Sequence, residues 1–390
     1  MGSRHGIAIA AVALAAAAGG CGGENEQSAA PGRADSALAA KAHTALQRLS
    51  QETLSKGPNG ETAVSAETVR LTPGEIAKVK ARNATAAIIL HYGGNDWSSA
   101  QVNGLKSEFK RLGIKVIAVA DPNLKADRQA SDIQTILARK PSIMVGLPVD
   151  AVANAPAFKQ AAKQGVKLVF MDNAPTGMKG GKDYISTVSA DNYGNGVAAA
   201  HLMALQMGGR GTLGLVWHDA GFFVTMQRYE GFKKTIETDY PGIKIVADKG
   251  VNGDDMAIAA QQAGNAILAK HPDIDAIWGV WDVPAEGILA AARAAGRAND
   301  LQIVTEDLGL NVAISMAQRG AVKALGAQRP FDQGVTEARL AAYGLLGKKA
   351  PPYVAWPALA VTQRNYLQAW REVYHQPPPS ILRKAAEIGG

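Results

Sequence analysis

The sequence predicts an α/β fold made of two doubly wound parallel sheets, and three observations predict it. From residue 84 onward, short apolar runs of strand length alternate with segments whose apolar residues recur at helical period. The strand-like runs are apolar throughout, which suits strands covered by helices on both faces. The alternation restarts near residue 193, giving two series of similar size. A length of 390 residues leaves room for both, and 47% hydrophobic against 19% charged residues excludes a disordered chain or a coiled coil.

The elements follow in order. Residues 37–54 carry Leu38, Ala42, Ala45, Leu46 and Leu49 near helical spacing and predict a helix, broken by Gly57, Pro58 and Gly60. Thr72, Pro73 and Glu75 form a helix start, with Thr as N-cap and Pro at the first position. Strands are expected at 84–91, 115–119, 142–147 and 166–171, with helices at 99–112, 127–139 and 155–164. The second series has helices at 193–207, 225–238, 256–270, 284–295, 312–318 and 334–346. Its strands are expected at 212–217, 243–247, 276–280 and 302–305. Gly208 to Gly211 join a helix to a strand and read as a helix stop, because a phosphate cradle needs the opposite order. The tail after residue 376 reads as surface and partly mobile.

The amino terminus reads as an address. Arg4 and His5 precede 12 apolar or small residues from Ile7 to Ala18, too short for a bilayer and the right length for a signal peptide. Gly19, Gly20 and Cys21 follow. This stretch resembles the lipobox of bacterial lipoproteins, although Ala18 stands where Leu is usual. The resemblance implies cleavage before Cys21, acylation of its thiol, and a protein tethered to the membrane on the extracytoplasmic or periplasmic side. Residues 22–35, rich in Gly, Ser, Pro and Glu, read as the tether.

Composition and motifs exclude several functions. The net charge is +7, with no run of five basic residues, so nucleic acid binding has no support. A single cysteine excludes an intramolecular disulfide and a cysteine metal cluster. There is no Gly-x-Ser-x-Gly elbow and no His-Glu-x-x-His, and the glycines at 177, 180 and 181 lack P-loop spacing. No enzyme activity, catalytic residue, metal or cofactor is expected.

The strand ends point to a binding cleft. One ends in His91, Tyr92, Asn95, Asp96 and Trp97; one in Asp172 and Asn173; one in Trp281 and Asp282; one in Glu306 and Asp307. Carboxylates and amides there exchange hydrogen bonds with hydroxyls, and indoles cover C–H faces. Ligands of doubly wound sheets sit at such carboxyl ends.

From about residue 82 to 365 the chain resembles the periplasmic sugar-binding proteins of ABC importers, in the ribose- and galactose-binding group. The resemblance rests on Asn95-Asp96-Trp97, Asp172-Asn173, Ser189 to Asn192, Arg228-Tyr229-Glu230-Gly231-Phe232, Trp281-Asp282, Asp307 and Ala327-Gln328-Arg329-Pro330. It implies two Rossmann-like domains joined by a three-crossover hinge near 189–190, 328–329 and 355–357. The domains implied are 81–189 with 329–355, and 190–328 with 356–376, after a signal at 1–20 and an extension at 21–80; residues 377–390 form the tail. Asn95, Trp97, Asp172, Asn173, Arg228, Asp307 and Gln328 are carried to the cleft by the resemblance, and Asp96, Phe222 and Trp281 join them as neighbours. Asn173 replaces an Arg of ribose binders and Trp281 a small amide, so the second-domain wall is more apolar. The implied ligand is a sugar, a polyol or a non-sugar small molecule, closed in by hinge motion, and the implied partner is an ABC permease. A receptor feeding a chemotaxis or kinase system shares this pattern. A LacI-type repressor core shares the architecture, but the amino terminus here carries no recognition helix.

Overall fold

The computed structural model describes residues 31–253 and 255–389, with side chains from residue 36. The signal region, Cys21 and the tether as far as residue 30 lie outside the described residues.

The chain begins with α1 (Pro31–Leu49), a short strand β1 (Val64–Ser65) and α2 (Pro73–Lys80). The first βα series is β2 (Thr85–Ile89), α3 (Asp96–Arg111), β3 (Lys115–Ala120), α4 (Ala126–Leu137), β4 (Ile143–Gly146), α5 (Ala155–Lys163), β5 (Lys167–Met171) and β6 (Ser186–Ala190). The second begins with α6 (Asn192–Met207), β7 (Gly211–His218), α7 (Phe223–Asp239), β8 (Ile243–Val251), α8 (Met256–Lys270) and β9 (Ala276–Gly279). It continues through α9 (Asp282–Ala294), β10 (Gln302–Glu306), α10 (Leu310–Ala317), β11 (Val322–Ala327) and α11 (Pro330–Leu346). β12 (Tyr353–Trp356), β13 (Leu359–Thr362), α12 (Tyr366–Tyr374) and α13 (Ser380–Gly389) close the chain.

Two sheets form among the described residues. The first has seven strands in the order β1-β12-β6-β5-β4-β2-β3, all paired in parallel. The second has six in the order β13-β11-β10-β9-β7-β8, parallel except where β13 runs against β11. Each sheet with its helices is a lobe. β4 (IMVG) and β9 (AIWG) are buried at every position, as continuous apolar strands under two helical layers require.

Local chemistry sets the boundaries. Thr72 and Glu75 exchange hydrogen bonds in a capping box with Pro73 at the first turn, and α2 starts there. Gly208 takes φ 61° and stops α6, as read from the sequence.

Three expectations need correction. α1 starts at Pro31 rather than 37, so the end of the expected tether is helical, and it stops at Leu49 rather than 54. The tail is more than surface: α13 packs on α10 and buries Leu382 and Ala385 in the second lobe's core. β6 and β11 went unseen because STVSA is mostly hydroxyl residues and Lys323 interrupts VKALGA, leaving only a short run of small residues around Leu325.

Residues 36–80 fold onto both lobes. α1 lies on α6, with Leu38 and Leu46 against the second lobe's core. Leu49, 1% exposed, packs with Val197, Ala198 and Ala358, a burial worth about 2 kcal/mol. The backbone amides of Leu54 and Ser55 donate to Asp191 at 2.7 and 2.8 Å. The chain then crosses over: Asn59 Nδ2 donates to Tyr184 Oη at 3.3 Å, and β1 pairs with β12. This segment links the lobes in addition to the passages after β6, β11 and β12.

Candidate functional site

The carboxyl ends of β2, β5, β9 and β10 bring most of the sequence-selected residues into one cleft between the lobes. Arg228 sits there because α7 crosses α6 at very short range. A Cβ on Gly231 would stand 2.4 Å from the Tyr193 carbonyl oxygen, and one on Gly196 would stand 2.1 Å from that of Arg228. Only glycine permits this approach. Phe232 stacks on Trp278 with ring centroids 4.5 Å apart and fixes the helix from behind. The Arg-x-x-Gly-Phe spacing is thus a packing device that delivers a guanidinium to the cleft floor.

That guanidinium is the centre of a continuous hydrogen-bonded chain. Arg228 Nη1 pairs with Asp307 Oδ2 at 2.9 Å and donates to the Val280 carbonyl at 3.2 Å. Gln328 Nε2 donates to Asp307 Oδ1 at 2.9 Å, and Trp97 Nε1 donates to Gln328 Oε1 at 3.3 Å. On the other side Arg228 Nε donates to Asn192 Oδ1 at 3.0 Å, and Asn192 Nδ2 to Ser189 Oγ at 2.9 Å. Ser189 Oγ completes the chain by donating to Asp172 Oδ1 at 2.7 Å. Trp97, Gln328, Asp307, Arg228 and Asp172 therefore belong to one network. Its two aspartates both take left-handed backbone, Asp172 with φ 52° and Asp307 with φ 66°, a conformation that Asp tolerates and that concentrates at functional sites.

A second chain, of rings, crosses the cleft. Trp97 meets His91 edge-on at 5.6 Å, and His91 stacks on Phe222 of the opposite lobe at 6.4 Å. Phe222 meets His218 at 6.2 Å, and His218 meets Trp281 at 5.4 Å. Phe222 is therefore a wall residue between the lobes rather than a prop under its own loop.

The other selected residues have local tasks. Asn95 caps α3 by accepting from Ser98 N at 2.8 Å. Asn173 braces its own turn, accepting from Ala174 N at 2.9 Å. Asp96 reaches the other lobe, where it accepts from Leu310 N at 2.8 Å. Three buried nitrogens of this region, Asn95 Nδ2, His91 Nδ1 and Trp281 Nε1, have no partner among the described residues. Unsatisfied buried polar atoms are rare; the Asn95 and Trp281 nitrogens are donors that call for an acceptor, and the neutral His91 ring offers either role. Sequence reasoning named His91 as part of a strand end and Ser189 and Asn192 as part of a crossover, but placed none of the three among the cleft residues. The signal for Ser189 and Asn192 was the polar content of an otherwise buried strand end.

Burial dominates the electrostatics. It drives His91 down to about 3, so the ring is neutral. Burial, then the charges of Asp307, Glu286 and Asp96, hold Asp282 well above the usual carboxylate range. Burial also pushes Asp172 up to about 6, against the pull of Ser189 and Arg228. An acid with a raised pKa holds its proton more tightly folded than unfolded. Its stabilising contribution is full below the ordinary 3.8 and is lost as pH rises through about 6. Asp172→Asn escapes that loss. Relative to the native protein, the variant is expected to gain about 2 kcal/mol more at pH 8 than at pH 4.5 in urea unfolding. An equal difference at both pH values would remove burial as the cause.

The comparisons with known proteins agree with this architecture. A profile described as Periplasmic binding protein domain matches residues 86–349. A ribose operon repressor of Halalkalibacterium halodurans is 40% identical over 82 residues, 20% of this chain and 23% of the repressor. The D-allose-binding periplasmic protein of Escherichia coli is 32% identical over 111 residues, 28% of this chain and 33% of that protein. The chain thus aligns with about a quarter to a third of these curated relatives. An ABC transporter solute-binding protein from Agrobacterium vitis, solved with allitol, superposes with a TM-score of 0.64 at 25% identity, covering 74% of this chain and 98% of that one. The two-sheet architecture, the strand-end cleft and a profile match over most of the chain lead to one conclusion: the chain belongs to the periplasmic binding protein family, whose members bind solutes and are not enzymes.

Proposed function

We propose that the protein is the solute receptor of an ABC importer and that its ligand is a neutral monosaccharide or polyol. The observation that carries this reading is the polar chain from Trp97 to Asp172 running beside the ring chain from Trp97 to Trp281. A carbohydrate has both faces this pair requires, a rim of hydroxyls and a C–H surface. Hydroxyls would insert between Asp172, Asn192, Arg228, Asp307 and Gln328, while Phe222 and Trp281 cover the ring. Carboxylates accept from two hydroxyls each, and Arg228 and Gln328 donate. Domain 81–189 with 329–355 and domain 190–328 with 356–376 would close on the ligand about the passages between the sheets. The closed surface would engage the permease. Cys21, following an apolar run of leader length, would carry the lipid anchor that holds the receptor at the extracytoplasmic face of the membrane.

Neutrality follows from the charge balance of the network. Its one guanidinium is already paired with Asp307. A carboxylate or phosphate on the ligand would meet Asp172 and Asp307 with no free cation in the network to offset them.

The test is a thermal-shift panel on the chain from residue 22 onward, since residues 36–80 are part of the fold. A ligand at 1,000 times its Kd adds about 4 kcal/mol, or about 8 °C or more at this domain size. Shifts are expected from neutral pentoses, hexoses or polyols, with none from uronates or sugar phosphates. A panel in which only anionic or non-carbohydrate solutes shift the melting temperature would sink the reading.

A further inference from the structure

The first turn of α10 carries no side-chain cap of its own. Its N-cap is Gly309, which has no side chain to offer. The first amides of a helix need partners from elsewhere. Here the partner comes from the opposite lobe: Asp96 accepts from Leu310 N at 2.8 Å. Asp96 is free to reach over because Asn95 caps the helix that Asp96 begins.

The anchored segment is the one that carries Asp307. Asp307 is held by Arg228 and Gln328. The Leu308 carbonyl accepts from Tyr374 Oη. Gly309 lies so close to Asp282 that a Cβ there would stand 2.1 Å from Oδ2. Leu310 is held by Asp96. Four successive residues are each fixed, and the last anchor exists only while the lobes are together. The acidic side chains facing Asp96 from the second lobe are Asp282 and Glu286. Burial first, and then neighbouring charge including that of Asp96, raises both above the usual carboxylate range, which lessens their repulsion of it.

We infer that Asp96 is a latch across the cleft: a positioning residue that caps α10 from the other lobe, holds the closed arrangement and sets the loop bearing Asp307. It is not a ligand contact. The inference rests on the reading that the lobes open and close around a solute.

Two measurements on the chain from residue 22 onward test it, with Asp96→Ala and Asp96→Asn as variants. The first is the interlobe distance distribution from pulsed electron spin resonance, with spin labels at Lys106→Cys on α3 and Arg293→Cys on α9. The native chain is expected to show a short-distance population that Asp96→Ala depletes and Asp96→Asn, which keeps a carbonyl acceptor, partly retains. The second is affinity across the sugar and polyol panel. A charge-assisted bond to a backbone amide accounts for about a tenfold or larger rise in Kd, carried mainly by faster release. The factor should be the same for every solute the native protein binds, with their rank order kept. A factor that varies from solute to solute would make Asp96 a direct contact and overturn the latch. A native distribution lacking the short distance, or one that Asp96→Ala leaves unchanged, also overturns it. If the native chain binds no member of the panel, the sugar reading fails, while the distance measurement still decides the latch.

Discussion

Replacing Arg228 by Met is expected to abolish solute binding and to cost the fold about 3–5 kcal/mol. Arg228 is 2% exposed and serves four acceptor atoms: Asn192 Oδ1, the Val280 carbonyl and both oxygens of Asp307. Methionine fills much of the volume but donates nothing. Asp307 is left as a carboxylate only 13% exposed with Gln328 alone to answer it, and Asn192 loses the donor that orients it toward Ser189. Breaking a buried pair by removing one partner is far more costly than removing both. The double variant Arg228→Met with Asp307→Leu should therefore recover most of the stability while still binding nothing. Calorimetric titration and urea unfolding on the two variants separate the effects. Retained affinity in the single variant would remove the cleft from the account. Failure of the double variant to regain stability would mean that packing at Arg228, rather than the stranded charge, sets the cost.

Much of the fold was legible because burial leaves a plain trace in composition. β2, β4, β5 and β9 are apolar at nearly every position, and α8 was read at its observed bounds, Met256–Lys270. Legibility fails where burial is satisfied by hydrogen bonds instead of hydrocarbon. β6 (STVSA) is buried throughout, yet Ser186, Thr187 and Ser189 look like a surface loop in one dimension. That strand end supplies Ser189 to the polar chain. The same limit applies to the cleft. Residue type at a strand end singled out Trp97, Asp172 and Asp307, because the fold delivers those ends to one place, whereas Arg228, inside α7, and Gln328 were listed through the family resemblance alone. Type could not tell which polar groups face a neighbouring lobe. Asn95 and Asp96 are adjacent and chemically alike, but one caps its own helix and the other caps α10 across the cleft. That difference arises from tertiary approach, which has no signature in local sequence.

Replacing Asp191 by Ala is expected to release the amino-terminal segment and to cost about 4 kcal/mol or more. Asp191 is wholly buried and caps α6 by accepting from Gly194 N at 2.9 Å. Its two oxygens also accept from Leu54 N at 2.7 Å and Ser55 N at 2.8 Å. Loss of an N-cap alone costs about 0.5–2 kcal/mol. Each buried amide left without a partner adds about 1–3 kcal/mol. Ser55 is 2% exposed, so water cannot take over from the carboxylate while the segment stays docked. The cheaper response is undocking, in which residues 50–63 leave the lobes and α1 loses the tie that follows it. Hydrogen exchange should then show residues 36–63 exchanging fast in Asp191→Ala, with the amides of β2, β4 and β5 still protected. Asp191→Asn keeps one acceptor oxygen and should fall between. Unchanged protection of residues 36–63 in Asp191→Ala would show that the apolar face of α1, through Leu38, Leu46 and Leu49, holds the segment without the carboxylate. The extension would then be fastened by packing on the second lobe alone.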